Sequence, residues 1–322
     1  MKSVTLVIPV FNEAAVLEAN MRQIMESVKS LGATVDARIL VVDDGSRDDT
    51  VRIVQRLADM EPIVQVLALT RHFGKEAAIH AGLEHSSSDA VIVMDSDLQH
   101  PPALLPRMIQ LWQEGIDVVE AYKIDRGGES WLSGLLAGGF YALFRRLAGF
   151  DLRNHSDFKL LDRKVVEAYC RLPERGRFFR GLITWMHFPS ARIPFEVPPR
   201  HGGNAAWSRL RLAKYSLTII SSFSSLPLQV VGWAGALTLL ISTALGAKAL
   251  YDKLSGHAID GFATVILLVL ILGSIIMLSI GVVGNYIARI YEEVKRRPGY
   301  LVDLRRSSVA GRRSAGQPGD PE

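Results

Sequence analysis

The sequence has a single cysteine, Cys170, among its 322 residues. One thiol cannot form an intramolecular disulfide, and there is no cysteine cluster that could hold zinc. The first residues hold one lysine and a short apolar run that Pro9, Asn12 and Glu13 interrupt. A signal peptide needs a longer apolar region and a small-residue cleavage site. We therefore expect a reducing compartment and an N-terminal part that stays in the cytoplasm.

Two common nucleotide-binding motifs are also absent. No G-x-G-x-x-G follows the first apolar run, which argues against a dinucleotide oxidoreductase, and no G-x-x-x-x-G-K-[ST] occurs, which argues against a P-loop ATPase. The net charge is only +4. A nucleic-acid-binding protein more often carries one dense basic face. No nucleic-acid partner is therefore expected, and the basic residues gather instead around two apolar segments late in the chain.

These two segments lack charge altogether. No charged residue lies between Lys214 and Lys248, and none lies between Asp260 and Arg289. Because a bilayer core is crossed by roughly 20 apolar residues in a helix, we predict transmembrane helices at about 226–250 and 262–288. Basic residues flank the outer ends of both segments: Arg209, Arg211, Lys214, Arg289, Lys295, Arg296 and Arg297. The positive-inside rule then predicts an integral membrane protein, with the N-terminal domain and both termini in the cytoplasm.

Two further segments complete the predicted domain organisation. Residues 128–147 are apolar with aromatics, which suits an amphipathic helix at the bilayer surface or, equally, a core helix. The tail at 299–322 is rich in Arg, Ser, Gly and Pro, so we predict that it is disordered and able to contact anionic lipid. The expected division is a catalytic domain at 1–215, a transmembrane hairpin at 216–298 and this basic tail.

The first 120 residues alternate between short apolar runs and helical patterns. Strands are predicted at 4–8, 37–42, 63–69 and 90–94, and helices at 14–30, 48–59 and 74–85. This alternation predicts an α/β fold with a mostly parallel sheet covered on both faces. Ligands of such sheets bind beyond the carboxyl ends of the strands. The polar residues that follow strands are therefore the ones to inspect: 9–13, 43–49 and 95–99.

Asp95 and Asp97 flank Ser96 directly after the fourth predicted strand. Two carboxylates so close repel each other unless a cation lies nearby, and Mg²⁺ or Mn²⁺ prefers such oxygen ligands. Gln99 offers a further oxygen. A solvated acidic turn is the alternative for an isolated D-x-D. After the second strand, the carboxylates that precede Gly45 could bind a base or ribose, or cap the next helix.

Taken together, the motifs resemble those of family 2 glycosyltransferases of the GT-A fold. Their order and spacing are similar to those of the dolichol-phosphate and bactoprenol-phosphate sugar transferases, over roughly residues 4–298. The matching segments are Pro9 to Glu13, Asp43 to Thr50, Arg71-x-x-Gly74-Lys75, Asp95 to Pro102, Asp157 to Arg163, Glu174 to Trp185, Arg200-x-x-Gly203 and Ser222 to Leu228.

The resemblance implies roles for individual residues. Asp97 and Gln99 would bind the divalent metal, Asp95 and Asp157 would belong to the catalytic set, and Arg200 would contact a donor phosphate. The nucleotide would be lined by Pro9, Asn12, Glu13, Val42, Asp43, Asp44 and Asp95. Lys123 and Arg126 would hold the acceptor phosphate.

The resemblance implies inverting transfer of a sugar from a nucleotide donor to polyprenyl (undecaprenyl) phosphate, at the cytoplasmic face of a bacterial inner membrane. A phosphate monoester is already an anion near pH 7, so the acceptor needs no strong general base. The metal and Arg200 would neutralise the departing diphosphate. UDP is the more frequent donor of bacterial relatives, GDP stays open, and packed hairpins make a homo-oligomer plausible.

The sequence departs from the family pattern at several positions. Ala205 and Ala206 stand where Ser-Lys is usual, and that Lys commonly contacts donor phosphate. His100 replaces a common Asp, Lys123 a common Arg, and Gln229 a frequent Arg. Two alternatives therefore remain: a transferase of the same fold with a polysaccharide or other acceptor, although no Q-x-x-R-W segment is present, and a non-catalytic membrane scaffold.

Overall fold

The computed structural model describes residues 1–123, 155–196, 226–255 and 262–309. The chain forms two compact units. The sheet unit comprises Met1–Arg145, Phe150–Ala206 and Pro298–Glu322, and the helical unit comprises Arg146–Gly149 and Trp207–Arg297. The predicted helix at 128–147 and the residues Arg126, Arg200, Ala205 and Ala206 lie outside the described residues.

The sheet unit is built on one seven-stranded sheet with the order β3-β2-β1-β4-β6-β5-β7. Its strands are β1 Ser3–Val10, β2 Asp36–Asp43, β3 Val64–Ala68, β4 Ala90–Val93, β5 Val118–Lys123, β6 His155–Asp162 and β7 Ser190–Phe195. The first four strands are parallel. Strand β6 runs antiparallel to both β4 and β5, and β7 is parallel to β5. The predicted α/β class with a mostly parallel sheet is confirmed.

Helices cover this sheet, and the first three lie where the sequence predicts them. The helices of the sheet unit are α1 Ala14–Lys29, α2 Thr50–Met60, α3 Lys75–His85, α4 Leu105–Gln113, α5 Arg163–Arg171 and α6 Phe179–Trp185. Helix α1 shows why they pack: Leu17, Met21, Ile24 and Val28 recur at helical spacing, and all four are buried. That stripe meets strands whose side chains are buried on both faces. The packing holds the strand-to-helix loops at one edge of the sheet.

The start of the C-terminal tail differs from the sequence expectation, because residues 300–309, here called the C-terminal strap, lie along β3. Thr70 donates its N–H to the Leu301 carbonyl at 2.9 Å, and Asp303 donates to the Ala68 carbonyl at 2.8 Å. The Tyr300 side chain is buried, and its hydroxyl donates to Glu84 at 2.6 Å. An edge strand leaves backbone groups unpaired, and the strap pairs them. Residues 310–322 lie outside the described part.

The helical unit contains α7 Leu226–Leu254 and α8 Phe262–Val294. Within them, Val231–Lys248 and Ile271–Ala288 have mean hydropathies of 1.3 and 1.9, and neither window is buried within the chain. Both helices are long enough to cross a membrane, and they begin where the sequence predicts. Each continues beyond the predicted end of its span. Apolar surface of this extent is seldom left exposed to water in a soluble monomer.

Candidate active site

The loops after β1 and β2 interlock through Asn12. Its backbone has φ 53°, a left-handed conformation that Asn adopts more readily than most residues. In this geometry the Asn12 N–H donates to the Ser46 hydroxyl, and the Asn12 side-chain oxygen accepts the N–H of Arg47, both at 2.9 Å. The Glu13 N–H donates to Thr50 Oγ1 at 2.9 Å. The two loops therefore form one rim at the carboxyl end of the sheet.

Gly45 allows the second loop to lie against the chain that follows β3. Its φ is +72°, and a Cβ at this position would lie 2.2 Å from the carbonyl carbon of Arg71. Beneath this turn, Asp43 accepts the N–H groups of Gly45 and Ser46 at 3.1 and 3.0 Å. Burial raises the pKa of Asp43. Asp43 thus shapes the turn from below.

The Asp44 side chain points to the opposite side and connects the loop after β3 to the rim. Its carboxylate accepts the N–H groups of Phe73 and Gly74 at 2.7 and 2.8 Å. His72 Nδ1 lies 2.8 Å from the same carboxylate, and the His72 ring stacks on Phe11 at 4.0 Å between ring centroids. Burial raises the pKa of Asp44, although these donors act in the opposite direction. An aromatic pair thus borders the site beside a buried carboxylate.

Lys75 joins Asp95 to a buried ion pair. Its ammonium lies 2.6 Å from Asp95 and 2.7 Å from Asp157. Arg180 grips the buried Asp157 with two parallel hydrogen bonds of 2.6 and 2.8 Å. Burial alone would raise the pKa of Asp157, but the hydrogen bonds from Arg180 and the charge of Lys75 outweigh it and hold that pKa well below its usual range. Asp157 is therefore ionised near neutral pH.

The D-x-D loop itself has a constrained backbone. Leu98 has φ 57°, which is unusual for a bulky residue and is a form of strain often found at functional sites. The Gln99 N–H donates to Asp97 Oδ1 at 3.1 Å. The Asp95 N–H donates to Nδ1 of His100 at 3.1 Å, and the buried His100 ring stacks on Phe158 with 5.2 Å between centroids. These contacts fix where the two carboxylates point.

Glu13 completes the acidic wall. Its carboxylate accepts a hydrogen bond from the Ser96 hydroxyl. The pKa of Glu13 is raised to about 6, and burial is the largest cause. The hydrogen bond from Ser96 lowers the pKa, whereas the negative charges of Asp95 and Asp97 raise it further. Near neutral pH the group is mostly ionised but easily protonated.

These side chains surround a cavity of about 270 Å³. It is lined by Pro9, Val10, Phe11, Glu13, Asp44, His72, Lys75, Ala78, Asp95, Ser96 and Asp97. Five predicted site residues therefore meet in one place: Pro9, Glu13, Asp44, Asp95 and Asp97.

Other predicted site residues do not line this cavity. Val42 and Asp43 are buried beneath the rim, Asn12 links the two loops, and Gln99 donates its backbone N–H to Asp97. Asp157 lies behind Lys75 rather than in the wall. For Lys123 only the backbone is described, at the end of β5, and Arg126 and Arg200 lie outside the described residues.

Four residues of the site were not singled out by the sequence reasoning: Phe11, His72, Lys75 and Arg180. Lys75 and Arg180 were part of the matched motifs, so the signal was present without a role attached to it. Their function in the fold depends on which carboxylates they meet, and those lie 20 to 82 positions away along the chain. His72 has no comparable signal in the sequence.

The charge of the cavity decides which ligand it can accept. Four carboxylates face one lysine and one histidine, so a diphosphate would be repelled without an added cation. Among the described residues, no three His, Cys, Asp or Glu side chains are grouped as a ready metal site. Asp97 and its neighbours offer a partial ligand set, and Mg²⁺ and Mn²⁺ commonly complete such sets with phosphate oxygens and water. The residues fit a metal that binds together with a phosphorylated ligand.

Sequence comparison gives matches along nearly the whole chain. The family model described as "Glycosyl transferase family 2" matches residues 5–170. An uncharacterised glycosyltransferase of Synechocystis is 37% identical over 92% of this chain and 94% of its own. A bactoprenol glucosyl transferase of Shigella flexneri, derived from prophage SfII, is 36% identical over 93% of this chain and 97% of its own.

Structural comparison is weaker. The structure of a glucosyl-3-phosphoglycerate synthase from Mycobacterium tuberculosis, in complex with Mn²⁺ and UDP, is 23% identical and covers 69% of this chain and 80% of its own, with a TM-score of 0.49.

Proposed function

Because this chain belongs to glycosyl transferase family 2, we propose that it transfers a sugar from a nucleotide-sugar donor to a polyprenyl phosphate held in a membrane. The observation that carries the proposal is the similarity to a bactoprenol glucosyl transferase over 93% of the chain, a span that has to include both apolar helices. The charge and position of the cavity agree with it.

The donor's diphosphate would lie in the 270 Å³ cavity beside Asp95 and Asp97. Phe11 and His72 present aromatic faces there, against which a nucleobase can pack. Asp97 would hold Mg²⁺ or Mn²⁺, with Gln99 nearby, and the bound metal would supply positive charge to the leaving diphosphate. Lys75 would contribute a fixed ammonium at the same end of the cavity.

Asp157 has a supporting role in this account. Its pKa lies well below the usual range, so it cannot accept a proton near pH 7, and it is already bonded to Lys75 and Arg180. It positions Lys75 rather than acting as a base. A phosphate acceptor requires no base, because its oxygen is already ionised, so the reaction needs alignment and charge stabilisation instead.

The two apolar helices would bring the acceptor to the enzyme. A polyprenyl chain keeps its phosphate at the bilayer surface, and an enzyme anchored by α7 and α8 meets it there. UDP-glucose is the first donor to test, because the bactoprenol relative is named as a glucosyl transferase and UDP is the more frequent carrier among bacterial relatives.

The test is transfer of radiolabelled glucose from UDP-glucose into an organic-extractable lipid by purified protein with undecaprenyl phosphate and Mn²⁺. We expect label in the lipid phase, a loss of about 100-fold or more with Asp97→Asn, and no change with Asp59→Asn, whose carboxylate is exposed on α2. Label found only in a water-soluble polymer would contradict the proposed acceptor. No transfer from any nucleotide sugar would contradict the proposed activity.

A further inference from the structure

A second, larger cavity lies next to the 270 Å³ cavity proposed to hold the donor, here called the donor cavity. Its volume is about 910 Å³, and His72 borders both cavities. The wall is formed by the loop between β2 and α2, the first turns of α2, residues 69–72 after β3, and one residue of the C-terminal strap. Four arginines from these separate segments line it: Arg47, Arg52, Arg71 and Arg306.

The acidic residues in the same wall already have partners. Asp48 accepts hydrogen bonds from the N–H of Ala14 and from the N–H and hydroxyl of Thr50, at 3.1, 3.1 and 2.6 Å. Asp49 pairs with Arg52 at 3.0 Å. Both carboxylates keep their negative charge, so the wall sets four arginines against two carboxylates and carries a net positive charge.

Two of the four arginines lack a salt-bridge partner among the described residues. Within the described residues, Arg47 and Arg71 form no salt bridge, and Arg71 lies over the Phe73 ring at 4.7 Å. Arg306 shares its charge with Asp303 at 3.5 Å. Helix α2 begins at Thr50 beside the cavity, and the N-terminal end of a helix adds positive potential. The cavity is thus cationic, in contrast to the acidic donor cavity.

We propose that this arginine pocket is a second binding site, for a phosphate group, distinct from the donor cavity. Guanidinium groups bind phosphate oxygens through paired hydrogen bonds, and the pocket is large enough for a phosphorylated headgroup or solute. The phosphate can belong to an anionic phospholipid or to a soluble phosphorylated compound. The strap gives the pocket Arg306, so all four arginines line the site only when the strap is docked on β3.

The pocket can be tested with inorganic pyrophosphate as the probe. Full-length protein in an uncharged detergent is titrated with pyrophosphate in EDTA, where the acidic donor cavity has no metal to hold a diphosphate. We expect saturable binding that weakens about tenfold or more in Arg47→Ala/Arg306→Ala. The matched control is Arg22→Ala, an exposed arginine on α1 that pairs with Glu18, and it should bind like wild type.

Further measurements distinguish the two possible sources of the phosphate and control for misfolding of the variants. Arg47→Lys/Arg306→Lys keeps the charges and should recover much of the binding, and the melting temperatures of all variants should match. Competition by phosphatidylglycerol vesicles but not by phosphatidylcholine vesicles would identify a lipid headgroup; the absence of competition would identify a soluble ligand. The proposal is overturned if wild type shows no binding in EDTA, or if the double alanine variant binds as tightly as Arg22→Ala. Neither result depends on sugar transfer, so the proposed function would stand or fall separately.

Discussion

Lys75 controls the charge balance of the donor cavity at the scale of single residues. It stands between Asp95 in the wall and Asp157 behind it, and its pKa is raised because the attraction of these two carboxylates outweighs its burial. Asp157 is held in turn by Arg180. Lys75 and Arg180, with the buried Asp157 between them, hold the D-x-D loop in place. We therefore expect Asp157 to affect activity without contacting the ligand.

Asp157→Asn should destabilise the protein by about 3 kcal/mol at pH 7, because it removes the anion from between two cations. The folded-state pKa of Asp157 lies below its unfolded value, so its stabilisation is present above about pH 4 and is lost as pH falls further. Thermal unfolding at pH 7 and at pH 3 should therefore show a large difference from wild type that shrinks in acid. A pH-independent difference would refute the ion-pair explanation, and Asp59→Asn serves as the surface control.

His100 gives a second prediction at this scale. Its Nδ1 accepts the N–H of Asp95, and an Asp side chain, common at this position in the family, could accept the same hydrogen bond. His100→Asn keeps an acceptor near that point and should retain most of the activity. His100→Leu leaves a buried N–H without this partner and should lower kcat/KM about tenfold. Equal activity of the two variants would show that the hydrogen bond does not position the loop.

Among the elements, the β2–α2 loop depends on Gly45. Gly45→Ala adds a Cβ 2.2 Å from the Arg71 backbone at a φ of +72°, so we expect a lower melting temperature and weaker donor binding. Gly115 has φ +101° but open space around it, and Gly115→Ala isolates the cost of backbone strain, about 1 kcal/mol. If Gly45→Ala and Gly115→Ala lose equal stability, the close contact between Gly45 and the Arg71 backbone contributes nothing to the effect.

The C-terminal strap is the other element with a direct test. Truncation after Gly299 removes Tyr300 and the pairing of β3, whereas truncation after Val309 removes only the residues beyond the strap. The first should lower the melting temperature of the sheet unit by several degrees and promote aggregation through the bare edge of β3. The second should melt like wild type. Matching melting curves for both truncations would contradict a structural role for the strap.

The elements also show what the sequence could and could not predict. Strands β1 to β4 and the helices between them lie within about two residues of their predicted positions, because apolar runs and helical periodicity are local signals. The antiparallel insertion of β6 between β4 and β5 is a matter of tertiary pairing, which no local pattern encodes. The strap was missed for the same reason, since its polar composition resembles that of a free tail until β3 is there to pair with it.

The site residues show the same contrast between what local sequence signals predict and what tertiary structure determines. Glu13, Asp44, Asp95 and Asp97 were predicted because they follow strands whose carboxyl ends meet at one edge. Asp43 and Asp44 could not be told apart, since neighbouring residues at the end of a strand point to opposite sides. The structure turns Asp44 toward the cavity and Asp43 into the turn.

At the scale of the whole molecule, the sheet unit holds an acidic cavity and the helical unit contains two exposed apolar helices. A bilayer position for α7 and α8, with both termini in the cytoplasm, stays a prediction from charge and hydropathy, as does a homo-oligomer. Because the cavity holds four carboxylates, we expect it to bind a nucleotide diphosphate only together with a divalent cation.

The most direct measurement of this claim is UDP binding by titration calorimetry, with Mn²⁺ and with EDTA. The account predicts that Mn²⁺ tightens UDP binding more than about tenfold in the wild type, that Asp97→Asn abolishes this gain, and that Asp59→Asn preserves it. Equal UDP affinity of the wild type in Mn²⁺ and in EDTA would contradict it.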